Sequence, residues 1–407
     1  MSFRFCLRYP RRILRKTGAG KIDISKKLNV AISVGEISGD LNAAALVKAL
    51  KNKIDADYWG IGGRQMRAAG VELLFDNSRT ETIGIVQALK YLPLFLYRYN
   101  AFRIKLLEKK PDLLVLVDFG FFNTRLLETA SKHGIKCVYY FPPSSWRRKL
   151  GRPDALVRSD CRVITPFPWS EKILSGRGLK ARYPGHPLTD IAKPSVTEKE
   201  FREEFAVSSR SAGFLPGSRK FEIDMHLPPF FGTLRLLREK HPDMTFVFAA
   251  TPERADHVAK RLKAEFGNYE DLGIRLAAGR TYDVMAYSDV LFTCSGTATL
   301  EAGLIGTPMI IVYRGTGMMR FEYLFRKHSL KHDIGLPNIV LEKQVCKEFL
   351  GKAVVPEALF GEAERLLSDP ELYAEKKKEL AGIKRMLGPA GVVERAADAF
   401  VDLVKDY

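Results

Sequence analysis

The chain repeats one pattern from end to end: a short, uninterrupted apolar run, a polar turn, a helical stretch, then another apolar run. In the first half the runs are 28–34, 57–61, 113–119, 137–141 and 162–165. In the second half they are 213–215, 245–249, 274–277, 290–293, 309–313 and 338–341. Continuous apolarity, as opposed to alternation, marks strands buried on both faces, and that requires helices on both sides of a parallel sheet. Helical patterns fill the gaps, at 41–53, 124–133, 225–240 and 252–266. The fold class expected is therefore α/β, with two Rossmann-like, doubly wound domains facing a cleft and a helical C-terminal segment over 356–407. The 407 residues suit two or three domains. The polar, proline-bearing stretch 190–200 marks the break. The boundaries expected are a basic extension 1–27, a first domain 28–190, a second domain 191–385, and a C-terminal helix 386–407 packing back on the first.

The most informative unit is 290–313. An apolar run ends at Ser295-Gly296-Thr297, a short apolar helix follows, and a second apolar run starts at Pro308. Such a turn offers free backbone N–H groups and the positive end of a helix dipole, which suits a phosphate. Glu301, one helical turn further in, is placed to bind a sugar diol. Leu215-Pro216-Gly217-Ser218-Arg219 forms a second turn of this type. There Gly217 and Ser218 supply backbone N–H groups and Arg219 a permanent positive fork; the plain alternative is a strand-ending turn with a surface arginine.

In the first half, Gly35-Glu36-Ile37-Ser38-Gly39-Asp40 follows the first strand and opens a helix. It is neither G-x-G-x-x-G nor a P-loop, so neither a dinucleotide cofactor nor a nucleoside triphosphate is indicated. Glu36 faces the cleft on this reading, and Ser38 or Asp40 caps the helix. Asp118 ends the run 113–117 at the C-terminal edge of a central strand, where it acts as a general base or caps the turn 119–123; Asn123 is the more obvious cap. His186, between Gly185 and Pro187, reads as structural.

The net charge of +18 is localised. Residues 1–27 hold nine Lys/Arg against one acid, 90–110 six against one, and 144–162 six against two, which leaves the rest of the chain almost balanced. In 83–107, Tyr91, Phe95, Tyr97, Tyr99 and Phe102 interleave with Lys90, Arg98, Arg103 and Lys105. The segment is too charged to span a bilayer, and fits either an interfacial element on anionic lipid or an amphipathic core helix. Nucleic acid is the third reading of the charge, but no recognition module accompanies it, and no nucleic-acid partner is expected. Five scattered cysteines without a C-x-x-C pair indicate neither a zinc site nor a disulfide framework. No metal and no cofactor are expected.

In this order the motifs resemble the lipid A disaccharide synthase family, inverting glycosyltransferases of the GT-B architecture. The resemblance covers nearly all of 28–365. It rests on 34–40, on Gly60-Ile61-Gly62-Gly63-Arg64-Gln65-Met66, on Pro111-Asp112 through Asp118, and on Gly185-His186-Pro187-Leu188-Thr189-Asp190. It continues through 215–219, 295–301, Tyr313-Arg314 and Leu336-Pro337-Asn338. The resemblance implies a reaction that joins UDP-2,3-diacylglucosamine to 2,3-diacylglucosamine 1-phosphate, with UDP as leaving group, on the cytoplasmic face of the inner membrane and without a metal. The partners implied are a UDP-sugar donor, an acylated sugar phosphate acceptor and an anionic membrane surface, met by 90–110 and the N-terminal arm. Asp118 matches the family's proposed base. Gly217, Ser218, Arg219, Ser295, Gly296, Thr297 and Glu301 match the nucleotide side, and Glu36, Arg314 and Asn338 match further cleft positions. Two departures fall in the acceptor half. Phe121 stands where the family usually has a second acid, and 141–148 reads Phe-Pro-Pro-Ser-Ser-Trp-Arg-Arg in place of Ser-Pro-Ser-Val-Trp-Ala-Trp-Arg. A related UDP-sugar transferase with a different acceptor, a UDP-sugar epimerase on the same frame and a non-catalytic membrane-binding relative are the competing expectations.

Overall fold

The structure, a computed structural model, describes residues 22–35, 37–76, 85–142, 154–314 and 334–407. Two all-parallel sheets carry the fold. The first is built from β1 (Leu28–Val34), β2 (Ala56–Gly62), β3 (Glu72–Asp76), β4 (Leu113–Val117), β5 (Lys136–Tyr140), β6 (Arg162–Ile164) and β7 (Ala181–Arg182), in the order β3-β2-β1-β4-β5-β6-β7. The second is built from β8 (Ser211–Leu215), β9 (Thr245–Ala250), β10 (Ile274–Ala278), β11 (Val290–Cys294), β12 (Met309–Tyr313) and β13 (Glu348–Leu350), in the order β10-β9-β8-β11-β12-β13. The strand order thus reverses once in each sheet, between β1 and β4 and between β8 and β11.

Helices cover both faces. In the first half they are α1 (Ile37–Leu50), α2 (Arg64–Ala68), α3 (Ile85–Lys109), α4 (Gly120–Lys132), α5 (Asp154–Arg158), α6 (Pro168–Ser175) and α7 (Leu188–Ile191). In the second they are α8 (Glu198–Glu204), α9 (Lys220–Lys240), α10 (Ala255–Phe266), α11 (Thr281–Tyr287), α12 (Thr297–Ile305) and α13 (Leu336–Leu341). Three more, α14 (Pro356–Ser368), α15 (Pro370–Leu387) and α16 (Val392–Lys405), end the chain. The central strands β4, β8, β9 and β11 are buried at every residue, which is why they read as unbroken apolar runs.

Two expectations need correction, and three strands were not expected. Residues 338–341, expected as a strand, form most of α13: Pro337 at the helix start has no N–H to offer a sheet and a φ already suited to a helix. The strand beside β12 is β13. It escaped notice, as did β3 and β7, because these are edge strands, short or only partly buried. Finally, Asn123 lies inside α4, not at its cap; the cap position is Phe119, in a left-handed conformation.

The chain crosses between the two sheets twice, and the crossings are clasped together. The His186 N–H donates to the Leu387 carbonyl (3.2 Å), and the Asp190 carboxylate accepts from Gly391 N–H (2.6 Å) and Val393 N–H (3.0 Å) at the start of α16. His186 itself is buried between Phe141 and Phe167. Beyond the clasp, Ala396, Ala397, Phe400, Leu403 and Val404 of α16 join the core formed by β1, β4 and α1. The last residue completes the attachment. The Tyr407 hydroxyl bonds the N–H and carbonyl of Cys137 and accepts from Arg162 N–H, with the Arg162 guanidinium 4.4 Å from its ring.

Candidate active site

In a doubly wound sheet the crevice opens beyond the carboxyl ends of the two strands where the order reverses, because their crossovers leave to opposite faces. In the first sheet those ends carry Gly35 (after β1) and Asp118 (after β4). In the second they carry Pro216–Arg219 (after β8) and Ser295-Gly296 (after β11). The four turns singled out in the sequence therefore occupy the two reversal points.

On the first sheet, Asp118 and Phe119 both take left-handed backbone conformations, φ +46° and +51°. Asn123 holds them there. Buried in the first turns of α4, its amide N–H₂ donates to the carbonyls of Ser33 (3.2 Å), Val117 (3.1 Å) and Asp118 (3.0 Å), while its carbonyl accepts from the Ser33 hydroxyl (2.6 Å). Tyr139 adds a hydroxyl bond to the Asp118 carbonyl (2.8 Å); burial pushes this phenol well above its ordinary pKa, so it stays a donor. The Asp118 side chain lies against the first turn of α1, where a Cβ on Gly39 would come within 3.5 Å of Oδ2. The Phe119 ring folds back over Gly35 so closely that a Cβ at 35 would sit 2.1 Å from it. That ring stacks on Phe122 (4.8 Å between centroids), which meets the edge of Tyr99 on α3 (5.4 Å).

Three residues assigned to this side resolve differently. Glu36 and the side chain of Ser38 lie outside the described residues. Asp40 is buried and points away from solvent to cap α2. Its carboxylate accepts from Gly63 N–H (2.6 Å), Gln65 N–H (2.9 Å) and Met66 N–H (3.3 Å), so it shapes the Gly62–Met66 turn and does not line the cleft.

On the second sheet, Gly296 caps α12, and the first N–H groups of the helix have no intrahelical partner. Gly296 and Thr297 are exposed, and a Cβ on Gly296 would meet nothing within 4 Å, so the helix start is accessible to an anion. Ser295 does less than expected: its N–H continues the sheet, donating to the Val312 carbonyl (3.0 Å). The Pro216–Arg219 turn has an internal occupant. The Glu222 carboxylate accepts from Ser218 N–H (3.3 Å) and Arg219 N–H (3.2 Å) and pairs with the Arg219 guanidinium (3.0 Å). Gly217, at φ +123°, must be glycine, since a Cβ there would lie 2.7 Å from the Glu222 side chain. Glu222 went unnoticed in the sequence, although an acid in the first turn of a helix is a recognisable stabilising signal.

Glu301 sits within α12 with the Tyr282 hydroxyl 3.3 Å from its carboxylate. Burial pushes its carboxyl up to about 7, with the Tyr282 hydrogen bond opposing. Arg314 follows β12, exposed, and its backbone N–H donates to Nε2 of His226 (3.0 Å). Asn338 is not a cleft residue. It is buried, and all its capacity is used to fix the α13–β13 connection: its amide donates to the Cys346 carbonyl and the Glu348 carboxylate (2.8 Å each), and its carbonyl accepts from Val345 and Cys346 N–H (2.8 and 2.9 Å). Among the described residues no group of three or more His, Cys, Asp or Glu could hold a metal ion.

A family model described as lipid-A-disaccharide synthetase matches residues 30–395. The chain belongs to this family. Among curated proteins of the lipid-A-disaccharide synthetase family, the lipid-A-disaccharide synthase of Persephonella marina is 34% identical, over 91% of this chain and 98% of its own length. That of Geobacter sulfurreducens is 34% identical, over 92% and 97%. Solved structures share the architecture at low identity. The S. aureus MnaA–UDP co-structure superposes with a TM-score of 0.64 at 14% identity, covering 93% of this chain and 98% of that one. The Neisseria meningitidis UDP-GlcNAc 2-epimerase bound to UDP-GlcNAc gives 0.60 at 14%, covering 94% and 100%. At that identity the likeness establishes the two-domain GT-B-like fold and nothing finer.

The raised carboxyl of Glu301 generates a stability prediction. A carboxyl shifted from the ordinary 4.5 to about 7 binds more protons in the folded chain than in the unfolded one across that window, so stability falls as pH rises through 7. Replacing Glu301→Gln removes the ionisation. Urea unfolding should show the variant more stable than the parent at pH 8, by roughly 1–3 kcal/mol, with the difference shrinking as pH falls and vanishing only below the unfolded-state value of 4.5. Equal stability of the two at pH 8 would show that the carboxylate is solvated.

Proposed function

We propose that this chain is a lipid A disaccharide synthase: it transfers 2,3-diacylglucosamine from its UDP donor to 2,3-diacylglucosamine 1-phosphate, releasing UDP. The observation that carries the reading is the placement of Asp118 at one sheet's reversal point and of Arg219 with the α12 N-terminus at the other's. The 34% identity to curated lipid-A-disaccharide synthases over nine-tenths of the chain supports the same reaction.

The chemistry follows from the two halves. Asp118 takes the proton of the acceptor 6-hydroxyl as that oxygen attacks the anomeric carbon on the face opposite the nucleotide. The bond from that carbon to the donor's phosphate oxygen breaks as the new bond forms, which inverts the configuration and yields a β-1,6 link. Negative charge grows on the departing pyrophosphate. The N–H groups opening α12 are fixed dipoles that stabilise that charge, and Arg219 adds a positive charge beside them. Glu301 accepts hydrogen bonds from a sugar diol. When the anion arrives, Arg219 exchanges or shares its Glu222 partner. Glu36, Ser38 and Arg314 complete the cleft in this proposal.

The acceptor and donor are both acylated, and α3 gives them a surface to approach from. Leu94, Leu96, Tyr97 and Ile104 are exposed on α3, interleaved with Arg98, Arg103 and Lys105. Among the described residues no helix is long and apolar enough to cross a membrane, so the proposed attachment is peripheral, at the cytoplasmic face of the inner membrane. The basic extension 1–27 adds positive charge to the same association.

Two measurements test this. Incubation with the UDP donor and the 1-phosphate acceptor should release UDP and form disaccharide. Asp118→Asn should lower kcat by about 10²–10⁴-fold while UDP binds with unchanged affinity. Unchanged turnover would remove Asp118 from the role of base, and a UDP-sugar that changes configuration without acceptor would point to an epimerase. Separately, the protein should sediment with vesicles containing anionic phospholipid at low salt. Replacing Leu94, Leu96 and Tyr97 with serine should abolish most of that binding, and undiminished sedimentation would move the contact elsewhere.

A further inference from the structure

His226 was not among the residues singled out in the sequence, yet it touches both sides of the donor crevice from beneath. It lies nearly two turns into α9 and is 1% exposed. Its Nδ1 is 3.1 Å from the Pro216 carbonyl, and its Nε2 is 3.0 Å from the backbone N–H of Arg314. A carbonyl can only accept and an amide N–H can only donate. The ring is therefore the tautomer with hydrogen on Nδ1 and a lone pair on Nε2. Burial pushes its pKa down to about 4, so the neutral form persists through the physiological range.

The two partners are not on neighbouring strands. Pro216 follows β8 and Arg314 follows β12, and β11 lies between them. With strands about 4.8 Å apart, the ring ties together two loops separated by roughly 10 Å, across the end of the strand that leads into Ser295-Gly296. Its own helix is poorly braced at this point. Pro228 and Pro229 have no N–H, so the carbonyls of Asp224 and Met225 lose their usual partners four residues on. The bonds to Pro216 and Arg314 add a tether to this end of α9, which carries Arg219 at its cap. The Phe230 ring, 6.2 Å from the imidazole and nearly parallel to it, limits its rotation.

We propose that His226 is a positioning residue for donor binding: its neutral ring fixes the spacing between the Pro216–Arg219 turn and Arg314 on either side of the donor's pyrophosphate. The inference rests on the donor-site reading above. His226 does not touch substrate in this role; it acts through Arg219 and Arg314, so its removal is felt in donor affinity and not in acceptor affinity.

The test separates the two bonds. Glutamine places a polar group near the Nε2 position and asparagine one near Nδ1, so His226→Gln keeps the contact to Arg314 and His226→Asn keeps that to Pro216. UDP affinity by calorimetry, KM for donor and acceptor, and melting temperature are measured for both, with Arg219→Ala alongside. Each variant should weaken UDP and raise the donor KM by about tenfold, the size expected for one buried hydrogen bond. The acceptor KM should stay within about twofold and the melting temperature near that of the parent. If Arg219→Ala weakens UDP and neither His226 variant does, the positioning role is wrong. It is equally wrong if donor and acceptor KM rise together in step with a falling melting temperature, because that is general loss of structure. If Arg219→Ala also leaves UDP binding intact, the donor site itself is misplaced, and this proposal goes with it.

Discussion

Each half of the molecule depends on a reversal of strand order in a parallel sheet. Between β1 and β4, and again between β8 and β11, successive crossovers leave to opposite faces, so a notch opens at the carboxyl ends of the central strands. Backbone in such a notch cannot satisfy itself through the sheet, and each notch is furnished by side chains from a following helix. Asn123 does this on the first sheet, binding the ends of β1 and β4 together. His226 does it on the second, binding the loops after β8 and β12. Both are buried and make their bonds to backbone.

Much of the fold could be read from the sequence because the central strands are buried on both faces and so are uniformly apolar. The runs 28–34, 113–119, 245–249, 290–293 and 309–313 fall on β1, β4, β9, β11 and β12, the second of them overrunning β4 by Asp118 and Phe119. Three of the four edge strands, β3, β7 and β13, could not be read this way. Glu72–Asp76 is only partly buried, and Ala181–Arg182 is two residues long. The error at 338–341 has a different origin: a short apolar run is ambiguous between a strand and one turn and a half of buried helix, and only the preceding proline distinguishes them.

The site was legible to the level of the turn but not of the atom. Spacing alone located the turns at 35–40, 118–123, 215–219 and 295–301. It could not say which polar side chain in each turn faces outward. Asp40 and Asn338 carry the chemistry of cleft residues, yet each has its oxygens committed to backbone N–H groups that only the fold brings near, 23 to 26 residues away for Asp40. Glu222 and His226 act in the opposite sense. They sit within a helix that reads as ordinary, and their partners are made visible by the return of the chain.

The turn after β4 has an unusual backbone geometry. Asp118 and Phe119 are consecutive non-glycine residues with positive φ, a conformation that costs about 1–2 kcal/mol per residue. The bonds from Asn123 and Tyr139 to the Asp118 carbonyl offset that cost. The conformation turns the Phe119 ring onto Gly35, where no larger residue fits, and starts an aromatic line through Phe122 to Tyr99 on α3. Strain at the proposed base and an apolar connection to the exposed helix thus come from the same two residues. With phenylalanine at 121, Asp118 is the sole acid between Leu113 and Asn123. The backbone of this proposed base is held by Asn123 and Tyr139 through its carbonyl.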